Sequence, residues 1–350
     1  MKHEHMWRRL RTAAVIVTAS VLTLGTVAAC GSSSQGPKAD PSKPTLTIGQ
    51  NGPFWQPALE TSGVLKDAPY NITWATFGSG ADTANSVVSK QTDAVINLGN
   101  ATSLVLAANA TPEWTAATVP LKNILLGADA DPVNHSNAVT IVSPKANITS
   151  AADLRGKKWG YIPGSNNNAM FIYSLKKAGL TEADIQPVKI DDATGIQAVI
   201  SGDIDVWSGG GYTALTALSA GAKVLWTGQD VGFNGYSVLA SSPQVIADSV
   251  KGPLIADFTV RLARFFEWSK THQSELVPVY VKANKFTEEQ AKQRVQYVYD
   301  VVPVTPAIIT EQQQFADTLT GVGFLRRHTD VAQLYDDRYS ADVTKAIKTN

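Results

Sequence analysis

A single cysteine, Cys30, is present among 350 residues, so no disulfide can form within the chain. Histidine is almost as scarce: after Cys30 only His135, His272 and His328 remain, too far apart for any metal-ligand spacing. Also missing are a phosphate-cradling glycine loop ending in lysine and the strand-turn-helix serine elbow of hydrolases. Basic and acidic residues number 30 each with no lysine/arginine stripe, which excludes a surface built to neutralise a nucleic-acid backbone. After Cys30 no apolar run approaches the ~20 residues needed to span a bilayer. These absences predict a non-enzymatic protein with no resident metal or cofactor.

The amino terminus has a composition of its own. Arg8, Arg9 and Arg11 precede an apolar stretch from Ala13 to Val27, and the small residues Ala28 and Ala29 stand directly before Cys30. That order predicts a secretory signal over 1–29. Val27-Ala28-Ala29-Cys30 resembles the bacterial lipobox, which implies that Cys30 receives a diacylglycerol and becomes the new amino terminus. The Gly/Ser/Pro-rich run from Gly31 through Pro44 predicts a flexible tether over 30–44. Without the signal the chain holds 26 basic and 29 acidic residues, a net charge of −3. It is expected outside the cytoplasm as a monomer, touching the membrane through lipid alone.

From Thr45 onward short apolar strands alternate with helical segments, the pattern of βαβ units. Strands are expected at 45–49, 71–77 and 94–98, and each runs into a turn and a helix start: Gln50-Asn51-Gly52-Pro53, Gly78-Ser79-Gly80, and Gly99-Asn100-Ala101-Thr102. The same grammar returns at 158–162, 188–190 and 204–207, with the turns Pro163-Gly164-Ser165-Asn166, Asp191-Asp192 and Ser208-Gly209-Gly210-Gly211. Gly179 and Gly202 read as helix stops. At an offset of 112 residues Val87 falls on Val199, Asp93 on Asp205 and Gly99 on Gly211, which suggests two similar halves. From Tyr236 the pattern becomes one strand followed by helices at 253–269, 275–283, 287–300 and 306–319.

Several stretches carry a family resemblance: Asp153-Leu154-Arg155-Gly156-Lys157-Lys158 with Gly164-Ser165 and Ala178-Gly179-Leu180; Ala198 to Trp207 with its Gly-Asp-Ile-Asp-Val-Trp ending; and Gln312-Gln313-Gln314 with Gly321, Gly323 and Phe324. They resemble the bacterial ABC-transporter substrate-binding proteins for aliphatic sulfonates, taurine and nitrate, a group that extends to thiamine-pathway (THI5-like) relatives. The resemblance implies an α/β fold of two Rossmann-like lobes joined by two crossing strands, the type II periplasmic-binding-protein fold, with the C-terminal helices packing on lobe 1. Lobe 1 would comprise 45–140 and 236–350 and lobe 2 would comprise 141–235. It also implies a permease and an ATPase as partners, and a small solute held between lobes that close as a hinge.

Ligands of open α/β sheets sit beyond the carboxyl ends of strands, where helix starts present free N–H groups. The expected contacts are therefore Gln50, Asn51, Ser79, Gly80, Asn100, Thr102, Ser165, Asn166 and Ser208, with Trp207 as a stacking wall. Donors without bases suit a permanently ionised group such as a sulfonate or nitrate. The ordinary role of Ser and Asn in such turns is capping, and Asp205 is expected to brace backbone. Asp230 is a candidate partner for an ammonium on a zwitterionic solute. No basic residue is evident for the anion, so a neutral solute such as a pyrimidine precursor stays open, as do a sensory lipoprotein and a secreted hydrolase.

Overall fold

The structure, a computed structural model, describes residues 40–348. Cys30, the expected signal and most of the expected tether lie outside the described residues.

Six strands form one sheet: β1 (Thr45–Asn51), β2 (Asn71–Phe77), β3 (Ala94–Gly99), β4 (Lys122–Asp129), β10 (Ser237–Ser241) and β11 (Tyr299–Val302), in the order β11-β4-β10-β3-β1-β2. The other five, β5 (Val139–Val142), β6 (Lys158–Tyr161), β7 (Gln186–Lys189), β8 (Val206–Gly209) and β9 (Lys223–Thr227), form a second sheet ordered β7-β6-β8-β5-β9. The chain leaves the first sheet through residues 130–138 and returns through 232–236. Each passage delivers a strand that runs antiparallel to both neighbours, β5 between β8 and β9, and β10 between β3 and β4. This is the two-lobed α/β fold that the sequence resemblance implies.

Both sheets are covered on both faces, which is why their inner strands read as continuous apolar runs. In the first lobe Leu46, Ile48, Ala94 and Ile96 face one layer with Phe258 and Leu262 of the long helix Lys251–Thr271, while Val95 and Leu98 face the other layer with Leu319. The C-terminal helices thus close lobe 1.

Strict alternation along β3 would put Leu98 on the same face as Ile96, yet it lies with Val95. The register against β10 jumps from Leu98↔Val238 to Val95↔Ala240, so two residues oppose one and the strand carries a bulge. Asn97 takes it up with φ 59°, a left-handed conformation that Asn tolerates better than most residues. One inserted residue thereby turns a polar side chain out of a buried strand.

The sequence patterns do not mark every element. β4 was not anticipated. Helix 243–247 was also not anticipated. The expected helix 287–300 ends at Arg294, and its tail becomes β11, an edge strand on β4, because Tyr-Asp-Val-Val suits a pleated edge and Pro303 follows it.

Phe258 is fully buried in the layer that joins the C-terminal helix to the first sheet. Phe258→Ala is expected to cost about 3–5 kcal/mol in urea-induced unfolding, through lost burial and the cavity left behind.

Candidate binding cleft

Between the two sheets lies a cleft of about 360 Å³, lined from the first lobe by Asn51, Ser79, Gly80, Asn97 and Thr102, and from the second by Ser165, Asn166, Asn167, Asp192 and Tyr212, with Asn137, Tyr236 and Tyr299 also contributing. Asn137 is fixed by Asp129 at the end of β4, whose carboxylate accepts from the Asn137 backbone N–H at 2.7 Å and its side-chain amide at 2.6 Å. Burial pushes the Asp129 pKa up while these donations pull it down.

Of the expected contacts, Asn51, Ser79, Gly80, Thr102, Ser165 and Asn166 line the cleft. Ser79 also does the ordinary work of its residue type: it caps helix Gly80–Val88, accepting from the Asp82 N–H at 3.1 Å. Ser165 donates to the Ile162 carbonyl at 2.8 Å and gives no side-chain cap to helix Asn166–Ala178.

Four expected contacts are not brought to the cleft, because the fold uses their side chains elsewhere. The Gln50 amide bonds Thr76 Oγ1 and the Gln56 N–H. Asn100, fully buried, accepts from the Tyr236 N–H at 3.0 Å and donates to Gln312 at 2.9 Å. Ser208 joins Thr140 at 2.7 Å and accepts from Trp159 Nε1 at 2.9 Å. Trp207 is buried in the core of the second lobe with Ile141, Ile196 and Val199 instead of walling the cleft. Asp230 also lies away from the cleft, in a capping box with Thr227.

The three consecutive asparagines each have a separate task. Asn166 reaches across to the first lobe, where its Oδ1 accepts from the Ala101 N–H at 2.9 Å and its Nδ2 donates to the Tyr236 carbonyl at 3.2 Å. Gly99 makes room for it: a Cβ there would stand 2.6 Å from Asn166 Oδ1. Asn167 donates to Asp192 Oδ1 at 3.1 Å, and Asn168 accepts from the Gly164 N–H at 3.1 Å.

The cleft's charge is unexpected. No Lys, Arg or His is among its lining residues, whereas Asp191 and Asp192 are. Asp191 caps helix Asp192–Ser201 by accepting from the Thr194 N–H, which holds its pKa below the usual range. Asp192 is pushed up to about 7 by loss of water and then by the neighbouring Asp191 charge, against the pull of Asn167. Sequence reading took Asp191 or Asp192 as a helix cap and missed the second one's place in the cleft, along with Asn97, Asn137, Asn167 and Tyr212. A polar residue inside the apolar run Ala94-Val95-Ile96-Asn97-Leu98 was the available signal for Asn97.

A carboxyl whose folded pKa exceeds its unfolded one binds an extra proton in the folded state, so stability falls as pH rises between those values. For Asp192 that window runs from the ordinary carboxyl value of 3.8 to about 7, and the penalty is full above it. In thermal melts, Asp192→Asn is expected to gain on the wild type as pH moves from 5 to 8, with the difference flat above about pH 8.

Comparison with known proteins agrees with this architecture. The sequence model described as NMT1/THI5 like matches residues 89–248. A protein of Escherichia coli (strain K12) described as an aliphatic sulfonates-binding protein is 30% identical over 120 residues; the match covers 34% of this chain and only 38% of that relative's length. The alkanesulfonate-binding protein SsuA from Xanthomonas axonopodis pv. citri, solved bound to MOPS, superposes with a TM-score of 0.71 at 19% identity, over 84% of this chain and 99% of its own. The fold also serves catalysis: the desulfurization enzyme DSZB superposes with a TM-score of 0.63 at 14% identity, over 88% of this chain and 99% of its own.

Proposed function

We propose, from the match of residues 89–248 to the NMT1/THI5-like family model and from the cleft, that the protein is the extracytoplasmic solute-binding component of an ABC importer, closing its two lobes over one small solute and passing it to a permease. The observation that carries this reading is the cleft itself, where neutral amides and hydroxyls from both lobes converge on helix starts that lack caps. Helices Asn166–Ala178 and Gly211–Ser219 begin at Ser165 and Gly210 with no side-chain cap bond, which leaves first-turn N–H groups for an acceptor on the solute. An aliphatic sulfonate suits such donors, since it needs no base and stays ionised at every physiological pH. The described part of the chain has no helix long and apolar enough to cross a membrane, and in this reading Cys30 supplies the lipid anchor.

A solute that binds only the folded form raises its stability by about 2.7 kcal/mol at a hundredfold excess over Kd. A thermal-shift series with sulfonates, phosphonates, carboxylates and nitrate is therefore expected to show a saturable rise for one class. Ala193→Trp, which fills the second-lobe wall of the cleft, should abolish that rise while leaving the unliganded melting temperature nearly unchanged. No shift with any of these solutes would overturn the reading.

A further inference from the structure

Asp192 is a cleft carboxyl that no cation among the described residues pairs with. Its Oδ1 accepts from Asn167, no hydrogen bond from the described residues reaches its Oδ2, and the residue lines the cleft. The groups facing it are Asp191 on the same turn, Asn167 on helix Asn166–Ala178 and Tyr212 on helix Gly211–Ser219. None of these is a cation. The guanidinium of Arg294 lies 4.4 Å from the Tyr212 ring and outside the cleft lining.

A carboxylate set in a partly closed cleft opposes a purely anionic guest by like charge and by its own lost hydration. The uncapped starts of helices Asn166–Ala178 and Gly211–Ser219, in the same cleft, favour an anionic group. Both demands are met by one solute only if its two ends differ in sign.

Resting on the solute-binding reading above, we propose that Asp192 selects solutes with a protonated nitrogen, so that the cleft takes amino-bearing anions and refuses their amine-free counterparts. Proton linkage then follows: Asp192 ionises as it meets the ammonium, and affinity rises with pH up to the point where the solute's amine itself loses its proton.

The test uses three matched pairs in calorimetric titration: taurine with ethanesulfonate, 2-aminoethylphosphonate with ethylphosphonate, and β-alanine with propionate. At least one amino member is expected to bind, its partner at least roughly 30-fold more weakly, since removing one side of a desolvated charge pair commonly costs that much. Asp192→Asn should erase the preference within the pair, and wild-type affinity for the amino member should climb from pH 5.5 to 8. Equal or tighter binding of an amine-free member overturns the inference and leaves the solute-binding reading standing. Binding of none of the six overturns this inference, whereas the wider solute series above decides the reading itself. Should Asp192→Asn fail to fold, a pH-independent wild-type affinity is sufficient to reject the role of Asp192.

Discussion

Helix Asn100–Asn109 begins at Gly99 with no cap from its own segment, and a buried N–H left without an acceptor would cost about 1–3 kcal/mol. The acceptor comes from the second lobe: the Asn166 side-chain oxygen accepts from the Ala101 N–H, and its amide nitrogen donates to the carbonyl of Tyr236 on the returning passage. One side chain therefore ties the first lobe's helix start, the second lobe's helix start and a crossing segment together. Much of the cleft's shape depends on that tie. It requires glycine at 99, it places Asn167 against Asp192, and it brings Tyr236 to the wall.

The two lobes solve the same local problem with the same residue. Asp93 accepts from the Thr47 N–H at 2.8 Å, bracing β1, and Asp205 accepts from the Lys158 N–H at 2.9 Å, bracing β6. These two aspartates are 112 positions apart, the offset at which the halves of the sequence align, so the repeat has a structural basis beyond the composition of alanine-rich helices. Gly99 and Gly211 form a second matched pair. A Cβ on Gly99 would strike Asn166, and one on Gly211 would stand 1.9 Å from the Ser136 carbonyl on the outgoing passage. In both lobes glycine sits at a helix start where another part of the molecule approaches too closely for any side chain.

The strand-helix alternation, the glycine stops at 179 and 202, and the bracing role of Asp205 were legible because each is written in local periodicity or in one residue's backbone preference. The cleft was legible only in part. Ser79 and Asn166 were found from turn chemistry, but the same chemistry named Asn100 and Ser208, whose side chains are buried in internal bonds. No local rule separates them, since a turn asparagine looks the same whether it meets solute or Gln312. Asn97 was hidden for the opposite reason: its exposure comes from a register jump against β10, and pairing register is a property of two strands far apart in the chain.

The electrostatics of the cleft follow from where the fold puts its nearest cation. Arg294 is almost wholly buried, its guanidinium 4.4, 4.5 and 5.0 Å from the rings of Tyr212, Tyr280 and Phe54, and it forms no ion pair with any described carboxylate. Aromatic faces substitute for some of the hydration it has lost. Tyr212 feels both charges, Arg294 drawing its pKa down and Asp192 pushing it up, within a larger upward shift from burial. It is also the residue that the second lobe presents to the aromatic layer of the first. The lobes thus meet through a cation held by rings, and that cation is committed to the contact between them. What remains to greet a solute is a set of neutral donors and one incompletely bonded carboxylate, so any preference for charge inside the cleft must be set by Asp192 and by the helix starts that face it.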